Sequence, residues 1–303
     1  MSPAAADTAH DVRARPTFVI AAHDEERVIG ACLDALLGQG VRGDEIIVVA
    51  NGCSDRTADV AAEYGVIVID REEPGKAGAL NAGDAVAPTG ARVYLDADII
   101  VPDGGVTALV RRLADEPAAL AVVPARRVDT AERQWPVRAY FSLNERLPAF
   151  RAGLFGRGLI VVSAEGRSRF DVFPAMVADD LFLDSQFDES EKAQVDEVTV
   201  VVEAPFTTRE LLNRLVRVRR GNAEMRAAAA AGDIDLAVRP ADRRAWLRVA
   251  LPQPKLWPAA IAYAAITLVA ARRARRAPRG QAAWGRDDST RERAATVARR
   301  SAA

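Results

Sequence analysis

Short apolar runs alternate with helix-like segments through the first 125 residues of this chain. Each run has the length of a strand, and most are apolar throughout instead of alternating with polar residues. Because such strands are buried on both faces, the pattern is typical of a parallel sheet covered by helices on both sides. The sequence therefore predicts a doubly wound α/β domain, with strands over 17–22, 45–50, 66–69, 91–95 and 120–123 and helices over 25–37, 55–64, 77–86 and 104–113.

The pattern loosens after residue 125, where aromatic residues, arginine and glycine are mixed over 126–160. A further strand is predicted over 195–202 and a long helix over 209–231. We find no internal repeat and no linker-like composition in this stretch. We therefore expect a single domain over 16–235, with a flexible N-terminus over 1–15 and a basic helical extension over 236–303.

The charge is distributed unevenly although the net charge is only −1. Residues 206–303 hold 21 Lys and Arg against 8 Asp and Glu, whereas the preceding 205 residues hold 20 against 34. A basic C-terminal third favours an anionic partner, either a lipid surface or a phosphorylated ligand. Aromatic residues are not interleaved with these basic residues as in nucleic-acid-binding segments, so no nucleic acid partner is expected.

The extension contains an uncharged segment over 256–271, followed directly by four arginines within residues 272–276. Spanning a bilayer takes roughly 20 apolar residues. The shorter length and the basic flank favour a helix lying on an anionic membrane surface over a true span. A helix that closes the domain's own core is the alternative.

Cysteine usage and the N-terminal composition predict a cytoplasmic location. Cys32 and Cys53 do not form a Cys-x-x-Cys pair or a disulfide framework, which fits a reducing compartment. The first 16 residues contain no apolar run, so we expect no secretory signal peptide. Together with the basic extension, this predicts a peripheral protein at the inner face of the cell membrane.

Two carboxylates follow the fourth predicted strand in the triplet Asp96-Ala97-Asp98. In a parallel sheet, the carboxyl ends of the strands form the ligand-binding edge. Hard divalent cations prefer oxygen ligands, and Mg²⁺ commonly binds through one or two carboxylates together with substrate phosphates. The triplet therefore indicates a metal and phosphate site; the alternative is a solvated turn with a helix cap from Asp103.

Three other strand ends converge on the same edge. The first is followed by Ala22-His23-Asp24-Glu25, the second by Asn51-Gly52-Cys53-Ser54, and the third leads to Gly75-Lys76. Lys76 at a helix N-terminus supplies a cation, and the helix amides supply donors, near a diphosphate. The P-loop pattern of phosphate-binding enzymes is absent.

These motifs, in this order, resemble those of the family 2 glycosyltransferases. The resemblance rests on Ala-Ala-His-Asp-Glu-Glu, Ala-Asn-Gly-Cys-Ser-Asp, Gly-Lys-Ala-Gly-Ala-Leu-Asn, Asp-Ala-Asp and a later Asp-Asp pair, and it spans residues 16–230. It implies a GT-A, Rossmann-like fold and an inverting enzyme that uses Mn²⁺ or Mg²⁺. It also implies a nucleotide-diphospho-sugar donor and a glycan, lipid or small-molecule acceptor.

The resemblance also implies roles for individual residues on the donor side. Ala22, His23 and Glu25 would line the nucleoside pocket, and Asn51 stands where the family often has an aspartate that contacts the base. Other implied donor contacts are Lys76, Asn81, Asp96, Ala97 and Asp179, with Asp98 as the metal ligand. Basic residues that would stabilise the leaving diphosphate are Arg217, Arg219 and Arg220; a solvated helix face is the alternative.

The transfer reaction also requires a base for the acceptor hydroxyl. The pair Asp179-Asp180 resembles the family's Glu-Asp pair, so Asp180 is the predicted base; an exposed pair at a helix start is the alternative. Arg157, in a glycine-rich segment, is a candidate for binding phosphate on the donor or acceptor. The Gln-x-x-Arg-Trp signature of processive synthases is missing, which disfavours polymerisation.

Two other function classes compete with glycosyl transfer. A nucleotidyltransferase shares the α/β layout, but it would carry a glycine-rich phosphate loop directly after the first strand, where this chain has none. A non-catalytic sugar-nucleotide-binding homologue is the second alternative. The presence of Lys76, Asp96, Asp98 and Asp180 favours an enzyme over such a protein.

Overall fold

The computed structural model describes residues 15–176, 178–242 and 244–276. All but the last residue of the predicted flexible N-terminus, and the basic stretch from residue 277 onward, lie outside the described residues. The predicted domain boundary between residues 235 and 236 stays a prediction. Residues on both sides of it pack against the same core cluster, namely Ile234, Leu236 and Val238.

A seven-stranded sheet forms the centre of the molecule, in the order β3-β2-β1-β4-β6-β5-β7. Only β6 runs against the others; it pairs antiparallel with both β4 and β5. The predicted mostly parallel sheet is therefore confirmed. The strands are β1 (Thr17–Ala22), β2 (Ile46–Asn51), β3 (Ile67–Arg71), β4 (Arg92–Asp96), β5 (Ala121–Asp129), β6 (Leu159–Val162) and β7 (Lys192–Glu203).

Helices cover both faces of this sheet, as predicted. They are α1 (Ile29–Leu37), α2 (Thr57–Ala62), α3 (Lys76–Val86), α4 (Gly105–Asp115), α5 (Trp135–Asn144), α6 (Pro148–Ala152), α7 (Ala164–Arg167), α8 (Asp179–Ser185), α9 (Thr208–Ala231), α10 (Ala245–Ala250) and α11 (Trp257–Arg276). Successive strand residues point to opposite faces. Thus Ile20 of β1 packs in one cluster with Leu33 of α1, while Val19 packs in another with Leu80 of α3 and Leu181 of α8.

The antiparallel strand β6 was not predicted. Its four residues are too few to show a period, and the glycine-rich segment before it indicates a loop. Because β6 runs backwards, its first residues lie at the carboxyl edge of the parallel strands, where Leu159 pairs with Leu95. The Asp96 backbone N–H donates to the Gly158 carbonyl at 2.7 Å, which brings the loop before β6 onto the Asp-Ala-Asp triplet.

The C-terminal helices pack back on the domain. Helix α9 begins with a capping box, in which Thr207 Oγ1 accepts from the Glu210 backbone N–H and the Glu210 carboxylate accepts from the Thr207 N–H. Helix α11 contacts α5 and α9, and the Tyr263 ring stacks on Tyr140 with centroids 4.9 Å apart. Within the described ranges, residues 254–276 are the one helical stretch long and apolar enough to cross a membrane, and 28% of its most apolar window is buried.

Candidate active site

The loops after β1 and β2 are tied to each other by hydrogen bonds. The Glu25 backbone N–H donates to Thr57 Oγ1 at 2.7 Å, and the Glu26 N–H donates to Asp55 Oδ2 at 3.0 Å. In the other direction, the Ser54 N–H donates to Asp24 Oδ1 at 2.6 Å. These bonds hold the two loops as one unit at the carboxyl edge, which is where the nucleoside pocket is predicted.

Asn51 lies fully buried where the ends of β1 and β2 meet the loop before α3. Its Nδ2 donates to the Ala22 carbonyl at 2.6 Å, and its Oδ1 accepts from the Gly75 N–H at 2.9 Å. The Asn51 carbonyl in turn accepts from His23 Nδ1 at 2.7 Å. An aspartate could accept from Gly75, but it could not donate to the Ala22 carbonyl. The local geometry therefore explains an amide where the family often has a carboxylate.

Lys76 joins two of the predicted site carboxylates. Its Nζ lies 2.7 Å from Asp96 Oδ1 and 2.7 Å from Asp179 Oδ2. Burial by itself would lower the pKa of Lys76, but the charges of Asp179, Asp96 and then Asp180 raise it well above its usual range. The ammonium therefore stays charged and links the start of α3 to the end of β4 and the start of α8.

Asp180 follows in the first turn of α8. Its Oδ2 accepts from the Gly156 N–H at 3.0 Å. Burial and then the charge of Asp179 raise the pKa of Asp180 to about 6, while Lys76 acts in the opposite direction. A carboxylate whose pKa lies close to neutrality is suited to accept a proton. The adjacent pair thus has one member engaged with Lys76 and one available for acid–base chemistry.

Asp98 is exposed at the same edge, with Ala97 buried beneath it. Burial raises the pKa of the nearby Cys32 thiol, and the carboxylates of Asp98, Asp96 and Glu25 add to that rise. The exposed carboxylate of Asp98 offers the oxygen ligands that a hard divalent cation prefers.

Gly158 allows the loop before β6 to approach Asp96 closely. Its φ is +65°, a conformation that side chains other than glycine rarely adopt. A Cβ at this position would lie 2.5 Å from Ile99 Cγ1 and 3.0 Å from Asp96 Oδ2. Glycine is therefore required both by the backbone angle and by the lack of space beside the site.

Two residues predicted to bind ligand phosphates or ribose instead form hydrogen bonds within the protein. Asn81 donates from Nδ2 to the Phe173 carbonyl at 2.9 Å and accepts from the Phe173 N–H at 2.7 Å. Arg157 is fully buried and donates to four backbone carbonyls and to Gln194. The expectation that Arg157 meets phosphate is therefore wrong, and the geometry makes Asn81 a brace for the segment before α8.

The predicted leaving-group arginines lie on α9, where Arg217 and Arg220 are half-buried. Arg219 lies close to Tyr140 and Tyr263. Burial raises the pKa of both phenols, and the charge of Arg219 acts against that rise in each. The structure thus places Arg219 at the contact of α9 with α5 and α11. It does not bring Arg219 into the ion-pair network around Lys76.

Sequence reasoning missed Arg126, which is linked to the predicted base Asp180 through the backbone of Gly156. Its Nη1 donates to the Gly156 carbonyl at 3.1 Å, and the N–H of the same glycine donates to Asp180. A second bond runs from Nη2 to Asn144 Oδ1 at 2.9 Å. Burial and the neighbouring Arg157 charge lower the pKa of Arg126 to about 10. A charged residue late in a strand carried no signal that would distinguish it from a solvated one.

Comparison with models of known protein families identifies the family of this chain. The model described as glycosyl transferase family 2 matches residues 17–166, from β1 to the start of the helix after β6. The chain belongs to glycosyl transferase family 2. The predicted family and its GT-A fold are thereby confirmed, and the match includes Lys76 and the Asp96–Asp98 triplet.

Curated relatives of this family 2 chain match it over part of its length. An uncharacterized glycosyltransferase of Mycobacterium tuberculosis is 35% identical over 120 residues, which are 40% of this chain and 52% of that protein. The 4,4'-diaponeurosporenoate glycosyltransferase of Staphylococcus aureus is 34% identical over 117 residues, covering 36% of this chain and 31% of that protein. The chain thus spans about half or less of the length of these relatives.

Solved structures share the fold over a longer range. The mannosyltransferase PcManGT from Pyrobaculum calidifontis, in complex with GDP-Man and Mn²⁺, superposes with a TM-score of 0.56 at 21% identity, covering 94% of this chain and 80% of that chain. TarS of S. aureus, in complex with UDP-GlcNAc, has a TM-score of 0.51 at 12% identity, covering 62% and 58%. At these identities the likeness establishes the GT-A fold.

Replacing the buried amide by a carboxylate should destabilise the site. Asn51→Asp removes the bond to the Ala22 carbonyl and places a carboxylate against that oxygen. We expect the free energy of unfolding to fall by about 1–3 kcal/mol, measured by denaturant titration. The matched control Asn213→Asp, at an exposed position of α9, should change stability by less than about 0.5 kcal/mol. Equal effects of the two substitutions would contradict the bracing role of Asn51.

Proposed function

We propose that this chain transfers a sugar, with inversion at the anomeric carbon, from a nucleoside-diphosphate donor to an acceptor hydroxyl. The observation that carries the proposal is the position of Asp180. It is fixed by the Gly156 N–H beside the Lys76–Asp96–Asp179 network, and its pKa is raised to about 6. A general base needs such a pKa, and the donor needs the adjacent charged edge.

The donor would lie along the carboxyl edge of β1, β2 and β4. Its nucleoside would occupy the pocket walled by Ala22, His23 and Glu25, whose loops are fixed by the bonds described above. Asp98 would hold a divalent cation, Mn²⁺ or Mg²⁺, which when bound offsets the negative charge of the diphosphate. The PcManGT complex with GDP-Man and Mn²⁺ supports this placement at the level of the fold alone.

The chemical step then uses Asp180 and Lys76. Asp180 accepts the proton of the acceptor hydroxyl while that oxygen forms a bond to the anomeric carbon. The bond from the anomeric carbon to the diphosphate breaks at the same time, and the nucleoside diphosphate leaves on the opposite face. Lys76, already placed between Asp96 and Asp179, is the cation positioned to meet the diphosphate charge as it develops.

The outer face of α11 supports a membrane-proximal acceptor. Trp257, Ile261 and Leu268 are 53%, 71% and 50% exposed, and their spacing of four and seven residues places them on one side of the helix. The last turn carries Arg273, Arg275 and Arg276. We infer that α11 lies on an anionic membrane surface at the cytoplasmic side, and that the acceptor is a lipid-linked or cell-envelope glycan or a small natural product.

Removal of the proposed metal ligand tests the donor site. Asp98→Ala should abolish the thermal stabilisation that Mn²⁺ together with a UDP- or GDP-sugar gives to the parent protein, because the diphosphate charge is no longer offset. The control Asp103→Ala, in the turn before α4, should retain it. If no nucleotide sugar stabilises the parent protein with metal present, the donor-site proposal fails.

Neutralisation of the proposed base tests the chemical step. Asp180→Asn should lower the rate of transfer by roughly 10²–10⁴-fold with little effect on donor affinity. In the parent protein, kcat/KM should fall as the pH drops below about 6, because only the ionised carboxylate accepts a proton. Loss of donor binding in Asp180→Asn would instead show a structural role. Donor binding without transfer in the parent protein would favour the non-catalytic homologue.

Vesicle sedimentation tests the membrane surface. Ile261→Asp and Leu268→Asp should each reduce binding of the protein to vesicles rich in phosphatidylglycerol, since a carboxylate replaces a side chain buried in the interface. The control Val86→Asp changes a residue that is 55% exposed on α3 and should leave binding unchanged. Equal binding of all three variants and the parent protein would overturn the assignment.

A further inference from the structure

A second group of metal-ligand side chains lies in the loops after β1 and β2. His23, Asp24 and Cys53 bring an imidazole nitrogen, a carboxylate oxygen and a thiol sulfur within 4.8 Å of one another. None of the three is part of the Asp96–Asp98 triplet. Their chemistry also differs from that of the triplet, because two of the three ligand atoms are nitrogen and sulfur.

The distances suit a small tetrahedral cation. Zinc bonds of about 2.0–2.3 Å place neighbouring ligand atoms roughly 3.3–3.8 Å apart. His23 Nε2 already lies 3.9 Å from Asp24 Oδ2. The Cys53 sulfur, which donates to the Ala22 carbonyl at 3.6 Å, lies within 4.8 Å of the other two ligand atoms.

The surrounding hydrogen bonds orient two of these ligands. His23 Nδ1 donates to the Asn51 carbonyl at 2.7 Å, so Nε2 is the nitrogen that carries the lone pair. A backbone carbonyl on the far nitrogen is the usual second partner of a metal-bound histidine. Asp24 Oδ1 accepts from the Ser54 N–H at 2.6 Å, which turns Oδ2 towards His23.

The backbone at Asp24 is consistent with a functional constraint. Asp24 has φ of +53°, one of two non-glycine residues with positive φ in the described part of the chain. Such conformations cost of order 1 kcal/mol or more and persist where neighbouring contacts impose them. Here the strained residue is one of the three ligands, and the loops that carry the ligands are bonded to each other.

We propose that His23, Asp24 and Cys53 form a Zn²⁺ site, separate from the Asp98 site, and that Zn²⁺ bound there excludes the nucleoside of the donor. Thiolate and imidazole ligands favour zinc over Mg²⁺ or Mn²⁺, which prefer oxygen. Binding converts the Cys53 thiol to a thiolate and releases its proton to solvent. The exclusion of the donor rests on the proposed nucleoside pocket, whereas the binding of zinc does not.

Cobalt substitution tests the metal site without any measurement of activity. The full chain is titrated with Co²⁺, and the near-ultraviolet thiolate-to-cobalt band is followed and then displaced with Zn²⁺. The band should appear in the parent protein, be lost in Cys53→Ser and persist in Cys32→Ala, which removes the other, buried cysteine. It should also persist in Asp98→Ala. No band in the parent protein, or an unchanged band in folded Cys53→Ser, overturns the proposal.

Alkylation of the parent protein gives a second measurement that needs no variant. Zn²⁺ should suppress alkylation of Cys53, followed by mass spectrometry, and a chelator should restore it; Mg²⁺ should have no effect. Alkylation of Cys53 at the same rate with and without Zn²⁺ would contradict the site.

Competition with nucleotide tests the exclusion step. Zn²⁺ should weaken the binding of UDP or GDP to the parent protein but not to Cys53→Ser, measured by calorimetry. If zinc binds through Cys53 and nucleotide affinity is unchanged, the exclusion is refuted while the metal site stands. If neither nucleotide binds the protein under any condition, the proposed donor site fails and the cobalt result is unaffected.

Discussion

The ammonium of Lys76 holds together the elements on which the site depends. Asp96 ends a central strand and Asp179 begins a helix more than eighty residues later, and both carboxylates contact the same Nζ. Without a cation between them, two carboxylates held this close would repel each other. The ion pair therefore fixes the distance between the sheet edge and α8. The charge of Asp179 beside Asp180 contributes to the raised pKa of Asp180.

The sequence predicted the sheet and its functional edge because both follow from local patterns. Continuous apolar runs located β1 to β5, and the polar residues after them located the edge. The strand β6 escaped prediction because its direction depends on contacts with β4 and β5, not on its own four residues. For the same reason, motif order indicated Asn81 and a glycine-rich segment indicated Arg157 as ligand contacts. No motif encodes the side-chain directions, and both side chains bond to the protein itself.

The departure at Asn51 has a physical explanation that sequence comparison alone does not supply. The buried amide donates to one strand end and accepts from the loop before α3. Only a side chain with both a donor and an acceptor can make these two bonds. The residue therefore fixes the position of the loop before α3 relative to the end of β1, at the edge where the nucleoside pocket is proposed.

The direction of β6 has a consequence for how such a chain can diversify. The stretch from the end of β5 to the start of β6 leaves the sheet and returns to its edge at Gly158. It contains α5, α6 and Gly156, whose carbonyl accepts from Arg126. The strands and loops before it form the other half of the edge, and Leu154 of the excursion packs in one core cluster with Val19 and Tyr94 of those strands. Insertions or substitutions in that excursion can reshape one rim of the cleft while the opposite rim keeps its geometry. The fold thus assigns the two rims of the edge to two separate stretches of the chain, which meet at Gly158.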